Sequence, residues 1–125
     1  MAYDAHESQY RAGLPNQKKI PYIVHPVGTA LIAIELYSAA GDAVTDLETI
    51  VCTSILHDVL EDTFASGREI ENVAGSKVRE YVESLTKPSA GISGMSRSKR
   101  NEEFFQKIVN GGPSVAFVKL SLIHI

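Results

Sequence analysis

The sequence predicts an all-α protein, a bundle of short helices, on three observations. Apolar residues recur at helical spacing in several segments, helix start and stop signals punctuate the chain at short intervals, and no segment alternates convincingly as a strand would. A first helix is expected from about Tyr3 to Ala12, ended by Gly13 and Pro15, with "GLPNQKKIP" as a polar loop. Pro26 suits a first helical position, and Val27, Ala30, Leu31 and Ile34 form an apolar face running to a stop at Gly41. Thr45 followed by Glu48 is a capping-box pattern that opens a third helix, and Ser66 with Glu69 repeats it for a short helix closed by Gly75. Val78, Tyr81, Val82 and Leu85 mark the next helix, ended before Pro88, and "SAGISGMSRS" reads as a flexible connection. A helix carrying Phe104, Phe105, Ile108 and Val109 stops at Gly111 and Gly112, and "SVAFVKLSLIHI" is a final apolar run.

At 125 residues the chain is one domain, with no internal repeat and no dividing linker. The lack of tryptophan, the few aromatics and a formal charge of -3 argue against nucleic acid as a partner. An anionic ligand would therefore be held by a local cluster, with Arg11, Lys18 and Lys19 as candidates, or by a metal. No run approaches the roughly 18 apolar residues that cross a bilayer, so no membrane partner is expected. Without an apolar leader at the N-terminus, and with the single Cys52 in apolar flanks as a core thiol, the reading is a cytoplasmic protein. Oligomeric state is not legible in these residues.

The stretch "LHDVLEDT" (Leu56–Thr63) puts acids where an amphipathic helix would close its apolar stripe. On a wheel, Leu47, Val51, Ser54, Ile55 and Asp58 share one side, with Asp58 central and His57 on its flank. A carboxylate facing the core must be paired, hydrogen-bonded or bound to a cation, because burying it alone costs several kcal/mol. Glu61 and Asp62 lie one turn beyond His57 and Asp58. Imidazole nitrogen beside carboxylate oxygen suits a borderline divalent ion such as Mn, Fe or Zn. Two such neighbours need further ligands from elsewhere in the fold, and taken alone the dipeptide reads first as a helix-end cap paired with a lysine.

Reading back, "PYIVHP" (Pro21–Pro26) offers His25 and "AHESQYR" (Ala5–Arg11) offers His6, Gln9 and Arg11. These two motifs with "LHDVLEDT", "SLTK" (Ser84–Lys87) and "VKL" (Val118–Leu120), in this order, resemble the HD-domain hydrolase module of the RelA/SpoT alarmone enzymes and their small stand-alone relatives. The resemblance runs from Ala5 to about Leu120. It implies an HD-domain helical bundle that removes the 3′-pyrophosphate of guanosine tetra- and pentaphosphate with Mn(II). It further implies His25, His57 and Asp58 as metal ligands, Glu61 and Asp62 as the catalytic pair that orients water or relays a proton, and Arg11 as a residue binding the guanosine nucleotide substrate. His6 reads as a structural hydrogen-bonder.

The chain departs from the family pattern at its end. After "VKL" the family continues with "AD", whose aspartate is a further ligand, and here the ungapped position is Leu122. Ser121 and His124 are the nearest residues that carry a ligand atom. The expected organisation is a C-terminally truncated module over 1–120 and a tail over 121–125 outside the family pattern. Two alternatives remain beside the alarmone hydrolase: an HD phosphohydrolase acting on another nucleotide, and an inactive HD fold used for nucleotide binding or interaction. Ser8 stands where the family has glycine in "HxGQ", a milder departure.

Overall fold

The computed structural model describes residues 1–11, 20–40, 46–87 and 96–123. Within them lie eight helices and one two-residue ladder: α1 (Ala2–Ala5), β1 (Tyr10–Arg11), β2 (Ile20–Pro21), α2 (Val24–Ala40), α3 (Leu47–Leu56), α4 (Val59–Asp62), α5 (Gly67–Ala74), α6 (Ser76–Leu85), α7 (Arg97–Asn110) and α8 (Pro113–Ile123). The all-α expectation therefore holds, with a short antiparallel β1–β2 pairing, Tyr10 opposite Pro21 and Arg11 opposite Ile20, added to it.

The first helix is shorter than the sequence suggests. Beyond Ala5 the Gln9 side chain is tied to the Asp62 carbonyl and the Gln9 carbonyl accepts the Tyr22 N–H, so the segment is drawn out of helix and into β1. Arg11 consequently sits on a strand. The third helix is capped by Asp46, whose carboxylate accepts the Thr49 N–H at 3.0 Å. Thr45 lies outside the described residues, so its half of the expected capping box does too. At the next start the expectation is met in full: Ser66 and Glu69 form the reciprocal capping box, and Gly75 ends α5 at φ +95°, a conformation suited to glycine. Most of the "SAGISGMSRS" connection lies outside the described residues, but Ser96 caps α7 by accepting the Lys99 N–H, and Arg97 and Ser98 belong to its first turn.

Two clusters of buried residues organise the bundle. One gathers Ala2, Leu56, Val59, Ile70, Val78 and Val82, and the other Ala33, Ile50, Tyr81, Leu85, Val115 and Val118. α6 feeds both, because Val78 and Val82 point one way and Tyr81 and Leu85 the other. Each fully buried Val or Ile contributes about 1.5–3 kcal/mol of transfer free energy. α2 packs chiefly against α3 and α8. Its buried face is made of Pro26, Thr29, Ala30 and Ala33, while Val27, Leu31 and Ile34 are exposed. The expected apolar face of α2 is thus turned by part of a revolution, since small side chains let α3 and α8 approach closely. α8 runs unbroken through Ser121 to Ile123, and Ser121 is fully buried with its hydroxyl bonded to the Phe117 carbonyl.

Candidate metal centre

Three segments bring the chemistry together: the turn leading into α2, the α3–α4 junction, and the stretch from α1 to β1. α3 ends at Leu56 and α4 begins at Val59, so His57 and Asp58 stand at a break rather than inside one continuous helix. Asp58 takes φ −99°, ψ −4°, a sparsely populated region, and its carbonyl accepts the N–H groups of Glu61 and Asp62 to open the next turn. The burial order of the pair is the reverse of the helical-wheel expectation. His57 is buried and Asp58 only partly so, because the buried face of α3 runs through Ile50, Thr53 and Ser54 to His57. α3 is apolar nearly all round, which leaves a wheel little contrast with which to orient it.

His25 Nε2, His57 Nε2 and Asp58 Oδ2 converge. The two nitrogens are 3.3 Å apart, and Asp58 Oδ2 lies 2.9 Å from His57 Nε2 and 3.4 Å from His25 Nε2. Donors bound at about 2.1 Å to one ion are separated by roughly 3.0 Å at right angles and 3.4 Å at tetrahedral angles. The triangle therefore has the size of one face of a coordination sphere, and two imidazoles with one carboxylate are a donor set for a borderline divalent ion. The residues present fit such an ion. His57 Nδ1–H donates to the Ser54 carbonyl at 2.6 Å, which fixes the ring and aims Nε2 inward. Burial raises the Asp58 pKa, but hydrogen bonding and charge from His57, the hydroxyl of Tyr22 and the nearby His25 outweigh it, so the carboxyl is held below its usual range.

Tyr22 is the member that the sequence reading passed over. Its hydroxyl donates to Asp58 Oδ2 at 2.5 Å and lies 3.3 Å from Asp62 Oδ2. Burial, then the two carboxylates, push its phenol well above the ordinary range, so it stays a donor at any working pH. The available signal was its place three residues before His25 in "PYIVHP", one turn back along the chain, where the Tyr22 carbonyl accepts the His25 N–H.

Asp62 sits on the α4 turn beside Asp58, joined to it through Tyr22. Glu61 is exposed at the rim of the site, its Oε2 accepting the Lys87 N–H at 3.3 Å, which brings the "SLTK" segment there. His6 is buried and donates Nδ1–H to Gln9 Oε1 at 2.7 Å, and the Gln9 amide donates to the Asp62 carbonyl at 2.6 Å. The Arg11 side chain lies outside the described part of the structure, as do Lys18, Lys19 and His124. Leu122 is half-buried on α8, and the Ser121 hydroxyl is committed to its own helix. Burial and the carboxylates of Glu48 and Asp46 push the Cys52 thiol up, which keeps it protonated and unreactive.

No protein-family model matches the chain. Curated relatives do. The bifunctional (p)ppGpp synthase/hydrolase SpoT of Escherichia coli K12 is 39% identical over 87 residues, 70% of this chain and 10% of the relative. A guanosine-3′,5′-bis(diphosphate) 3′-pyrophosphohydrolase of Vibrio cholerae is 34% identical over 109 residues, 87% of this chain and 14% of the relative. The chain is a homologue of the (p)ppGpp hydrolases. It spans between a tenth and a seventh of the length of these relatives. A solved structure, of a metazoan SpoT orthologue described as hydrolysing ppGpp, superposes with a TM-score of 0.72 at 23% identity, covering 97% of this chain and 61% of the other. The chain thus shares the helical fold of that orthologue, in keeping with the all-α bundle that the motifs implied. No helix among its described residues is long and apolar enough to cross a membrane.

Proposed function

We propose that the chain is an HD-domain hydrolase module that removes the 3′-pyrophosphate from guanosine tetra- and pentaphosphate alarmones in the cytoplasm, with Mn(II) held by His25, His57 and Asp58. The observation that carries this reading is the convergence of three donor atoms from two separate motifs into a triangle of 2.9–3.4 Å sides. The names of the relatives supply the substrate class, and the module spans residues 1–120, with 121–125 outside the family pattern. When bound, the ion supplies a water acidified toward neutral pH and polarises the phosphoryl oxygen under attack.

The protein's own groups do the rest. His25 and His57 offer neutral nitrogen and Asp58 an anionic oxygen. Asp62, tied to Asp58 through Tyr22, orients the attacking water and receives its proton, and Glu61 at the rim completes the acid-base pair. Arg11 engages the nucleotide phosphates, which a chain of net charge -3 would otherwise repel. Water oxygen bonds to the phosphorus on the 3′ oxygen, and that oxygen leaves with a proton, giving pyrophosphate and the 5′-phosphorylated guanosine.

Leu122, in the position of the family's remaining ligand, favours a second reading in which the fold holds nucleotide without turning it over. One assay separates them. Purified chain with Mn(II) and guanosine tetraphosphate is expected to release pyrophosphate, with release abolished in His57→Ala and no comparable release from GTP. Binding of the tetraphosphate without release would favour the second reading, and equal turnover of unrelated nucleotides would contradict the alarmone assignment.

A further inference from the structure

We infer that Tyr22 is a positioning residue that sets the ligand oxygen of Asp58 and couples it to Asp62. The inference rests on the metal reading above and adds to it a residue that none of the expected ligand or catalytic roles includes.

Each inward-facing donor needs something behind it. For His57 that is the Ser54 carbonyl on the same helix. Asp58 has no such support from its own helix, since it stands where α3 stops and α4 has not begun. The hydroxyl of Tyr22 takes that place, across 36 residues of sequence, with the 2.5 Å separation of a charge-assisted O–H···O⁻ bond. It binds Oδ2, the same oxygen that closes the triangle with the two histidines. A hydroxyl carries one proton, shared here between a short contact to Asp58 and a longer one at 3.3 Å to Asp62 Oδ2, which is the weaker acceptor.

Tyr22 is itself held firmly. Its ring lies 4.8 Å from that of His6 and 5.7 Å from that of His25, its N–H donates to the Gln9 carbonyl, and its carbonyl accepts the His25 N–H. Gln9 in turn is fixed to His6 and to the Asp62 carbonyl. One side chain therefore links the N-terminal segment, the His25 turn and both carboxylates of the α3–α4 junction. Partners behind a metal ligand typically change metal affinity by 10–100-fold when removed.

The test is Mn(II) binding to the full chain, with no nucleotide, followed by electron paramagnetic resonance in wild type, Tyr22→Phe and Tyr81→Phe. Tyr22→Phe keeps the ring against His6 and His25 and removes only the hydroxyl. Affinity is expected to fall roughly 10–100-fold, with an altered Mn(II) spectrum, and to stay at the wild-type value in Tyr81→Phe, whose ring lies in the other core. Wild-type affinity and an unchanged spectrum in Tyr22→Phe would overturn the inference while leaving the metal site standing. Absence of Mn(II) binding in wild type would overturn both. Should Tyr22→Phe not fold, 3-fluorotyrosine in the wild-type chain gives the same answer: the Tyr22 fluorine resonance moves on titration with Zn(II) if the hydroxyl is tied to the site, and stays in place if it is not.

Discussion

His25, His57 and Asp58 stood out in the sequence only through the order of the motifs "PYIVHP" and "LHDVLEDT", since an isolated "HD" pair reads as a helix-end cap. Their support was not legible. Tyr22 reads as one tyrosine among five in the sequence, and only the tertiary approach of the α2 turn to the α3–α4 junction gives its hydroxyl two carboxylates to face. Glu61 and Asp62 looked equivalent as neighbours, yet one faces Lys87 and the other Tyr22. The depressed pKa of Asp58 has a consequence in the ion-free protein. A carboxyl whose folded pKa lies below its unfolded value, near 3.9, adds stability that is present above that value and lost as pH falls through the folded one. In chelator, the stability advantage of wild type over Asp58→Asn should therefore shrink as pH drops from about 5 toward 2. A difference in denaturant midpoint that does not change over that range would contradict it.

Helix existence followed from periodicity and punctuation, and the Ser66 box, Gly75 and the Val78–Leu85 face were read to the residue. Helix orientation was harder where a helix is apolar on several sides. For α2 the large residues Val27, Leu31 and Ile34 suggested the buried face, but the fold buries Thr29, Ala30 and Ala33 and so gains a close approach to α3 and α8. Steric fit, which a wheel does not register, decided the matter. Ala33→Leu should consequently destabilise the fold by about 1–3 kcal/mol through overpacking among Ile50, Val115 and Val118, whereas Leu31→Ala should stay within about 0.5 kcal/mol of wild type. Denaturant titration of both variants checks this, and the opposite ranking would restore the face that the sequence suggested. The shortening of α1 has a similar origin, since the hydrogen bonds that draw Gln9 away from helix come from Tyr22 and Asp62, distant in sequence.

At the scale of the whole molecule, the bundle serves to hold two sequence-distant turns at a fixed separation. α2 and α3 pack side by side, which sets His25, in the first turn of one, against His57, just past the end of the other, with ring centroids 5.1 Å apart. The second core, through Ile50, Ala33 and Val118, locks that pair against α8, and the first core anchors the α4 turn through Val59. The all-α architecture was evident from the sequence, and the resemblance to HD-domain hydrolases came from motif order and not from composition or length. Crystals of the wild-type chain soaked in Mn(II) and measured at the manganese edge would show whether His25, His57 and Asp58 form one metal site. The expected result is an anomalous peak bonded at about 2.0–2.3 Å to His25 Nε2, His57 Nε2 and Asp58 Oδ2. Manganese peaks confined to surface carboxylates, with none between those three atoms, would contradict it.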